Sequence, residues 1–272
     1  MTVRLIATDL DNTLLTSAKQ VTERTFSAIH AAHSAGLVIV AATGRYLASL
    51  PQPLLAAEID YGVISNGSLG YDFARREILF VELLDQATQA LLVEVLSARF
   101  PGIIFGTGRG AGEIFYTDQS YIDMMLERER LHDRREFVFA DVATIISEPT
   151  IKLIARHPSI HPDVLLSYLN NCGLGGFHAS TSGAPFVEIA AAGVTKATGL
   201  ARICEMLGIG QSEVIAVGDA KNDVEMLRWA GVGVAVENAV PEAGAAADFF
   251  IPPSDEDGLA QFIESLLGQL AS

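Results

Sequence analysis

The chain has 272 residues, half of them hydrophobic, and a formal net charge of −15 at pH 7. This length allows one large hydrophobic core or two smaller ones. A strongly acidic protein repels nucleic acid and anionic membranes, so we discount both as partners. No apolar run reaches the roughly 18 residues that a membrane helix needs. Asp9 and Asp11 interrupt the N-terminal apolar stretch too early for a signal peptide.

The two cysteines are too few for a disulfide scaffold. Cys172 and Cys204 each fall on an apolar stripe at helical spacing, which predicts buried core thiols rather than catalytic ones. Together with the absence of a predicted leader, this usage of cysteine leads us to expect a cytoplasmic protein.

The first predicted strand, Val3 to Thr8, is followed directly by Asp9 and Asp11. Ligands of open α/β sheets bind where the strands end at their carboxyl termini. If the chain is still extended there, the two carboxylates point to the same side. Like charges so close repel unless a cation or a shared proton neutralises them. An acidic turn after an edge strand is the alternative at this point.

Both ends of the chain alternate between apolar strands and helices. The predicted strands after the first are 37–42, 62–65, 213–217 and 232–236, and the predicted helices are 21–35, a segment ending near Ala57, 195–207, 223–230 and 257–270. This alternation predicts an α/β fold with a Rossmann-like, doubly wound parallel sheet and right-handed crossovers.

The middle of the chain has a different pattern, in which strands dominate. The predicted helices there are 85–99 and 162–171, and the predicted strands are 103–105, 113–116, 136–139 and 150–155, followed by extended chain over 176–189. We interpret residues 82–187 as an α+β domain inserted into a catalytic core that comprises residues 1–81 and 188–272.

Polar side chains follow four of the predicted strands. They are Asp9 and Asp11, Thr43, Asn66, and the group Asp219, Asn222 and Asp223. Lys196 begins a predicted helix, where free N–H groups favour anions. Clustered carboxylates favour a hard cation such as Mg²⁺, whereas a lysine and a hydroxyl favour phosphate. The set predicts metal-assisted phosphoryl transfer, although taken singly Thr43 and Asp223 would be helix caps and Lys196 a solvated residue.

The sequence here resembles the haloacid-dehalogenase-like (HAD) hydrolase superfamily, and within it the Cof-type phosphatases with a large α/β cap. The segments that carry the resemblance, in chain order, are Asp9-Leu-Asp-Asn-Thr, Ala42-Thr-Gly-Arg, Gly193-Val-Thr-Lys and Gly218-Asp-Ala-Lys-Asn-Asp. Asn12 and Glu237 stand where the family frequently has glycine. Asn tolerates the unusual backbone angles of such a turn, and Glu237 would add negative charge near the site.

The resemblance implies a role for each matching residue. Asp9 would be the nucleophile that forms an aspartyl-phosphate, and Asp11 the general acid and base. Mg²⁺ would be held by Asp9, Asp11 through its backbone carbonyl, Asp219 and Asp223, the last from outside the metal's direct ligands. The phosphoryl oxygens would be held by the Leu10 amide, Thr43, Gly44, Lys196 and Asn222.

We therefore predict a Mg²⁺-dependent phosphatase that acts on a small phosphorylated metabolite, as a monomer or homodimer. The alternatives are a phosphomutase on hexose phosphates and a non-catalytic module that binds phosphorylated metabolites. Four residues in or near the predicted cap could contact the substrate, although packing between strands is the favoured interpretation for them. They are Lys152, Ser182, Phe186 and Glu188.

Overall fold

The structure is a computed structural model that describes residues 2–51, 58–125 and 136–270. The predicted helical segment that ends near Ala57 lies largely outside these residues. Within these ranges no helix is both long enough and apolar enough to cross a membrane.

The secondary structure comprises strands and helices that we number in chain order. The strands are β1 (Leu5–Thr8), β2 (Val38–Ala42), β3 (Tyr61–Ile64), β4 (Leu69–Asp72), β5 (Glu77–Val81), β6 (Ile104–Arg109), β7 (Ile114–Thr117), β8 (Glu136–Phe139), β9 (Leu153–Arg156), β10 (Phe177–Ser180), β11 (Val187–Ala191), β12 (Val214–Gly218), β13 (Val232–Val236) and β14 (Phe249–Ile251). The helices are α1 (Glu23–Ser34), α2 (Gln86–Arg99), α3 (Gln119–Asp123), α4 (Val142–Ile145), α5 (Pro162–Asn171), α6 (Lys196–Leu207), α7 (Val224–Trp229), α8 (Pro241–Gly244) and α9 (Gly258–Leu270).

The chain divides into two compact units. The first comprises Met1–Gly44, Leu50–Phe80 and Thr195–Ser272, and the second comprises Arg45–Ser49 and Val81–Val194. The short segment Arg45–Ser49 therefore belongs to the second unit although it lies well before 82, where the insert is predicted to begin. The assignment of 82–187 as a cap and of the remainder as a catalytic core stays a prediction.

The first unit contains a sheet of eight strands in the order β14-β13-β12-β1-β2-β3-β4-β5. Strands β14, β13, β12, β1, β2 and β3 are parallel to their neighbours in that series. The predicted α/β fold is confirmed. The sheet is nevertheless mixed rather than wholly parallel, because β4 runs antiparallel to β3 after the tight turn Ser65–Gly67.

The central strands are buried along their length. Every residue of β1 and β12 is buried, as expected for parallel strands covered on both faces. Helix α1 begins after Thr22, whose side chain accepts a hydrogen bond from the Thr25 amide. Threonine is among the residues favoured at an N-cap, because its hydroxyl oxygen accepts a hydrogen bond from a free amide of the first turn.

Helix α6 is fixed at both ends by its sequence. The Thr195 side chain accepts from the Thr198 amide and forms a capping box, and Gly208 ends the helix in the left-handed conformation. Near its start, Gly199 lies so close to the neighbouring turn that an added Cβ would be 2.7 Å from Val63 Cγ1 and 2.9 Å from Gly67 Cα. Small residues thus allow the beginning of α6 to approach the end of β3.

The second unit contains a sheet of six strands in the order β10-β11-β9-β6-β7-β8. Its neighbours are antiparallel except for the parallel pair β7 and β8. The extended chain predicted over 176–189 forms the hairpin of β10 and β11. Helices α2 and α5 form with the boundaries predicted to within one residue.

The two cysteines differ in environment. Cys204 is buried as predicted, and burial raises the pKa of its thiol to about 11. Cys172 is only half-buried, so the prediction of a core thiol is wrong for it. The reason is that α5 ends at Asn171, and Cys172 occupies the cap position with its Sγ 3.2 Å from the Leu169 carbonyl oxygen.

Because the start of α6 packs so closely against the turn after β3, replacing Gly199 by alanine should destabilise the protein, which is opposite to the usual effect of this substitution in a helix. Glycine to alanine within a helix ordinarily stabilises by about 0.5–1 kcal/mol. We expect that gain for Gly268→Ala in α9, where nothing lies within 4 Å of an added Cβ. Gly199→Ala should instead lower the free energy of unfolding by about 1–3 kcal/mol through overpacking. Chemical denaturation of both variants tests this, and a stabilised Gly199→Ala would contradict the packing described.

Candidate active site

Three parallel strands bring their following residues to one edge of the sheet in the first unit. Thr8 at the end of β1 pairs with Ala41 of β2 and with Val217 of β12. The residues that follow these strands, Asp9, Thr43 and Asp219, are therefore neighbours. Asp9, Thr43 and Asp219 are all buried, so the sequence prediction that strand ends assemble one polar site holds for these three.

Lys196 connects two of the carboxylates. Its Nζ lies 2.6 Å from Asp9 Oδ1 and 2.6 Å from Asp223 Oδ1. The lysine side chain is only 1% exposed. Burial by itself would lower the pKa of Lys196, but the two carboxylates, Asp223 first, raise it above its ordinary value. The ammonium is thus held charged inside the protein.

Asp223 is saturated with hydrogen bonds. Besides the Lys196 ammonium on Oδ1, its Oδ2 accepts from the backbone amides of Asp219, at 3.1 Å, and of Ala220, at 2.9 Å. An added Cβ on Gly218 would lie 2.6 Å from the Asp223 carboxyl carbon, so glycine is needed there. Asp223 therefore shapes the turn that presents Asp219 and anchors Lys196.

The remaining carboxylates carry excess negative charge. Burial raises the pKa of the Asp9 carboxyl well above its usual value, against the lowering effect of the Lys196 ammonium. The carboxylates of Asp223, Asp219 and Asp11 raise it further. Burial also raises the pKa of Asp219, and the Asp223 carboxylate adds to that increase. The single positive charge of Lys196 does not neutralise the carboxylates of Asp9, Asp219 and Asp223.

The donor set fits a divalent cation. Asp9, Asp219 and Asp223 each offer a carboxylate oxygen, and these atoms lie within 4.8 Å of one another. All three residues are buried. Oxygen donors of full negative charge are those that Mg²⁺ prefers. Because both oxygens of Asp223 already have partners, Asp9 and Asp219 are the better direct ligands, and Asp223 would act through them.

Asp11 is more exposed than the other carboxylates and lies outside that group of three. Its Oδ1 is 2.9 Å from Lys19 Nζ, and its side chain is 31% exposed. The following residue, Asn12, has a φ of 61°. The left-handed conformation that the sequence suggested for this position is therefore present, and Asn accommodates it without glycine.

The predicted phosphate-binding residues surround the same strand ends. The Thr43 amide donates to the Val63 carbonyl, and the Thr43 carbonyl accepts from the Asn66 amide, which ties β2 to the turn after β3. Asn222 donates through Nδ2 to Asn66 Oδ1 at 2.8 Å. Gly44 follows Thr43 directly, and the fully buried Leu10 side chain fixes the backbone between Asp9 and Asp11.

The sequence analysis assigned no role to three contacting residues. Thr13 is buried and donates from Oγ1 to Asp219 Oδ1 at 3.1 Å. Asn66, which the sequence places only at the end of a strand, accepts a hydrogen bond from Asn222. Lys19, whose own φ is 60°, forms an ion pair with Asp11. Because Thr13 belongs to the motif segment Asp9-Leu-Asp-Asn-Thr, the sequence could have indicated a role for it. Nothing in the sequence indicates the ion pair of Lys19.

A model of the haloacid dehalogenase-like hydrolase family matches residues 6–263 of the chain. The chain belongs to this family. The resemblance stated from the four motif segments is confirmed, and so is the prediction that the protein is an enzyme of the hydrolase class.

The matches to three similar proteins cover nearly the whole chain. A putative phosphatase of Bacillus subtilis, YxeH, is 30% identical over 97% of this chain and 98% of its own. The Escherichia coli pyridoxal phosphate phosphatase YbhA is 29% identical over 98% of this chain and 100% of its own. The Escherichia coli protein YbjI, named as a 5-amino-6-(5-phospho-D-ribitylamino)uracil phosphatase, is 30% identical over 98% of this chain and 97% of its own.

Solved structures share the fold. A haloacid dehalogenase-like hydrolase from Bacteroides thetaiotaomicron superposes with a TM-score of 0.79 at 27% identity, covering 97% of this chain and 100% of that one. A haloacid dehalogenase-like hydrolase from B. subtilis gives a TM-score of 0.83 at 22% identity, over 96% of this chain and 99% of that one. The fold of this hydrolase family therefore extends over both units.

The buried ammonium predicts a large stability effect. Lys196→Met leaves the carboxylates of Asp9 and Asp223 without their counter-charge, and breaking a buried ion pair from one side costs about 3–5 kcal/mol. Lys221→Met is the matched control, because Lys221 Nζ lies 3.5 Å from Glu242 Oε1 at the surface, where the two side chains are 29% and 52% exposed. Such a pair is worth roughly 0–1 kcal/mol. Urea denaturation without divalent ions measures both, and equal losses would contradict the role given to Lys196.

Proposed function

We propose that this chain is a Mg²⁺-dependent phosphatase that hydrolyses a small phosphorylated metabolite through an aspartyl-phosphate on Asp9. The observation that carries the proposal is the buried group in which Lys196 binds Asp9 and Asp223 while Asp219 lies within reach of the same centre. A nucleophile, a fixed ammonium and a cation-binding carboxylate are the components that phosphoryl transfer requires.

Asp9 is the proposed nucleophile. Its Oδ1 is held at 2.6 Å by Lys196, which orients the carboxylate. Its amide donates to the Val217 carbonyl at 2.8 Å, so the backbone that carries it continues the sheet. Both contacts reduce the freedom of the attacking group before substrate arrives, which is the advantage of a preorganised site.

Asp11 is the proposed general acid and base. It would donate a proton to the leaving alkoxide and then accept one from the attacking water. Its partial exposure, with a side chain 31% accessible, suits a group that must exchange protons with substrate and water. The ion pair with Lys19 holds Oδ1 of the Asp11 carboxylate.

The transferred phosphoryl group is negatively charged, so cationic groups and hydrogen-bond donors must bind its oxygens. We propose that the Lys196 ammonium, the Thr43 hydroxyl and the amides around Leu10 and Gly44 bind the phosphoryl oxygens. Asn222 would contribute through its side-chain amide, which in this structure donates to Asn66. When bound at Asp9 and Asp219, Mg²⁺ would neutralise charge on the phosphoryl group and on the carboxylates.

The names of the relatives support a small phosphomonoester as the substrate. YbhA is named for pyridoxal phosphate and YbjI for a phosphorylated ribityl-pyrimidine. The residues proposed above recognise only the phosphoryl group and the cation, and all of them belong to the first unit. We therefore propose that the second unit, as the predicted cap, selects the rest of the substrate.

Hydrolysis of an aryl phosphate tests the proposed activity directly. We expect release of inorganic phosphate in the presence of Mg²⁺ and its loss on chelation. Asp9→Asn should remove turnover, because an amide is a poor nucleophile and a weaker ligand than a carboxylate. Phosphate release is measured for both proteins, with Glu225→Gln, an exposed change in α7, as the control prepared in the same way. Substantial turnover by Asp9→Asn would rule out the assignment of Asp9.

Cation binding has a readout that is independent of activity. Mg²⁺ at a hundred times its dissociation constant should stabilise the folded protein by about 2.7 kcal/mol. Asp219→Asn should remove most of this stabilisation, and Glu225→Gln should retain it. Thermal unfolding with and without Mg²⁺ measures the difference. An undiminished Mg²⁺ effect in Asp219→Asn would place the cation elsewhere.

A further inference from the structure

The turn between β3 and β4 contains an unusual run of backbone conformations. Ser65, Asn66 and Gly67 have φ angles of 50°, 57° and 102°, and all three residues are buried. Positive φ is routine for glycine but less favourable for serine and asparagine, so it persists only where the surroundings fix it. Such backbone strain concentrates at functional sites, which makes this turn a candidate for a role beyond joining two strands.

Contacts fix the turn on two sides. The Asn66 amide donates to the Thr43 carbonyl at 2.9 Å, which ties the turn to the end of β2. An added Cβ on Gly67 would lie 2.1 Å from the Thr195 carbonyl oxygen, so the turn also packs against the start of α6. Thr43 and Lys196, the first residue of α6, are two of the proposed phosphoryl-binding residues. The turn is therefore in contact with two of the segments that would bind the phosphoryl group.

The Asn66 side chain contacts a third proposed phosphoryl-binding residue. Asn222 Nδ2 donates to Asn66 Oδ1 at 2.8 Å, and the two residues are only 5% and 4% exposed. Asn222 Oδ1 is buried and has no hydrogen-bond partner among the described residues. Within the described part of the chain, the bond to Asn66 is thus the one hydrogen bond of the Asn222 side chain.

This bond determines which end of the Asn222 amide group faces Asn66. The amide nitrogen carries two hydrogens, and the amide oxygen carries none. One hydrogen is donated to Asn66, which leaves the second for a phosphoryl oxygen. If the group were rotated by 180°, two acceptor oxygens would face each other and repel. Asn66 therefore holds the nitrogen in its donor position before the substrate binds, as a preorganised site requires.

We propose that Asn66 is a positioning residue for phosphoryl transfer, because it orients the Asn222 amide group that binds the phosphoryl oxygens. This role rests on the proposed function and adds a residue to it. A residue that served only to form the turn would need positive φ alone, and glycine meets that need without a side chain. Asparagine at position 66 combines the left-handed backbone with the acceptor oxygen that orients Asn222.

Inhibition by inorganic phosphate tests the role of Asn66. Asn66→Gly removes Oδ1 and introduces a residue that adopts the left-handed conformation without strain. We expect the inhibition constant of phosphate, measured during Mg²⁺-dependent hydrolysis of an aryl phosphate, to rise by about tenfold, because an unoriented Asn222 binds phosphoryl oxygens less well. Arg76→Gly is the matched control, since Arg76 is exposed, lies in the turn before β5 and also has a φ of 57°. Its inhibition constant should equal that of the natural protein.

A double-mutant cycle separates positioning from a purely structural role. In the Asn222→Ala background, Asn66→Gly should change the inhibition constant by less than about threefold, since the residue that Asn66 positions is gone. A residue that only stabilises the fold would change the fraction of folded protein, and hence kcat, without changing the inhibition constant. Equal tenfold increases in both backgrounds would contradict the proposal, because Asn66 would then not act through Asn222. Thermal unfolding of each variant identifies those that fail to fold.

The outcomes distinguish this proposal from the one on which it rests. No phosphate release from an aryl phosphate by the natural protein would overturn the proposed function and this inference together. Intact hydrolysis with an inhibition constant that changes by less than about threefold in Asn66→Gly would overturn only the inference. If Asn66→Gly does not fold, Asn66→Ala replaces it, because alanine removes the same oxygen and keeps Cβ. If neither variant folds, Asn222→Ala decides: a change of less than about threefold would leave Asn66 nothing to position and would overturn the inference, and a larger one would support it.

Discussion

The site depends on one buried ammonium. Lys196 lies 2.6 Å from both Asp9 and Asp223, and without it these carboxylates would be buried beside Asp219 without the ammonium that balances their charge. Its position is set by the start of α6, which the Thr195 cap defines and the small residue Gly199 allows to approach. The backbone at the start of α6 thus determines whether the charges of Asp9 and Asp223 are balanced.

The charge balance also explains the functional arrangement. Burial raises the pKa of Asp9, and the carboxylates of Asp223, Asp219 and Asp11 raise it further, because a single ammonium leaves the group with excess negative charge. Under the proposed function, Mg²⁺ bound at these carboxylates would offset their mutual repulsion and would let an anionic phosphoryl group bind beside them.

Much of this could be predicted from the sequence. Continuous apolar strands before Asp9, Thr43 and Asp219 require a parallel sheet, and such a sheet places its strand ends together. The rest depends on contacts that no local pattern encodes. Asp223 is committed to the amides of Asp219 and Ala220, and Lys152 meets Glu188 from 36 residues away. Neither β4 nor β14 is predicted, since β4 follows β3 after a turn of three residues instead of a helix and β14 has only three residues.

The central claim is that Asp9 accepts the phosphoryl group. The direct measurement uses Asp11→Asn, in which loss of the general base slows the attack of water on the intermediate. The variant is mixed with Mg²⁺ and an aryl phosphate, whose leaving group departs without the general acid that the variant also lacks. It is then quenched in acid, digested and examined by mass spectrometry. The account predicts one added phosphoryl group on the peptide that contains Asp9. A phosphoryl group on any other residue would contradict it.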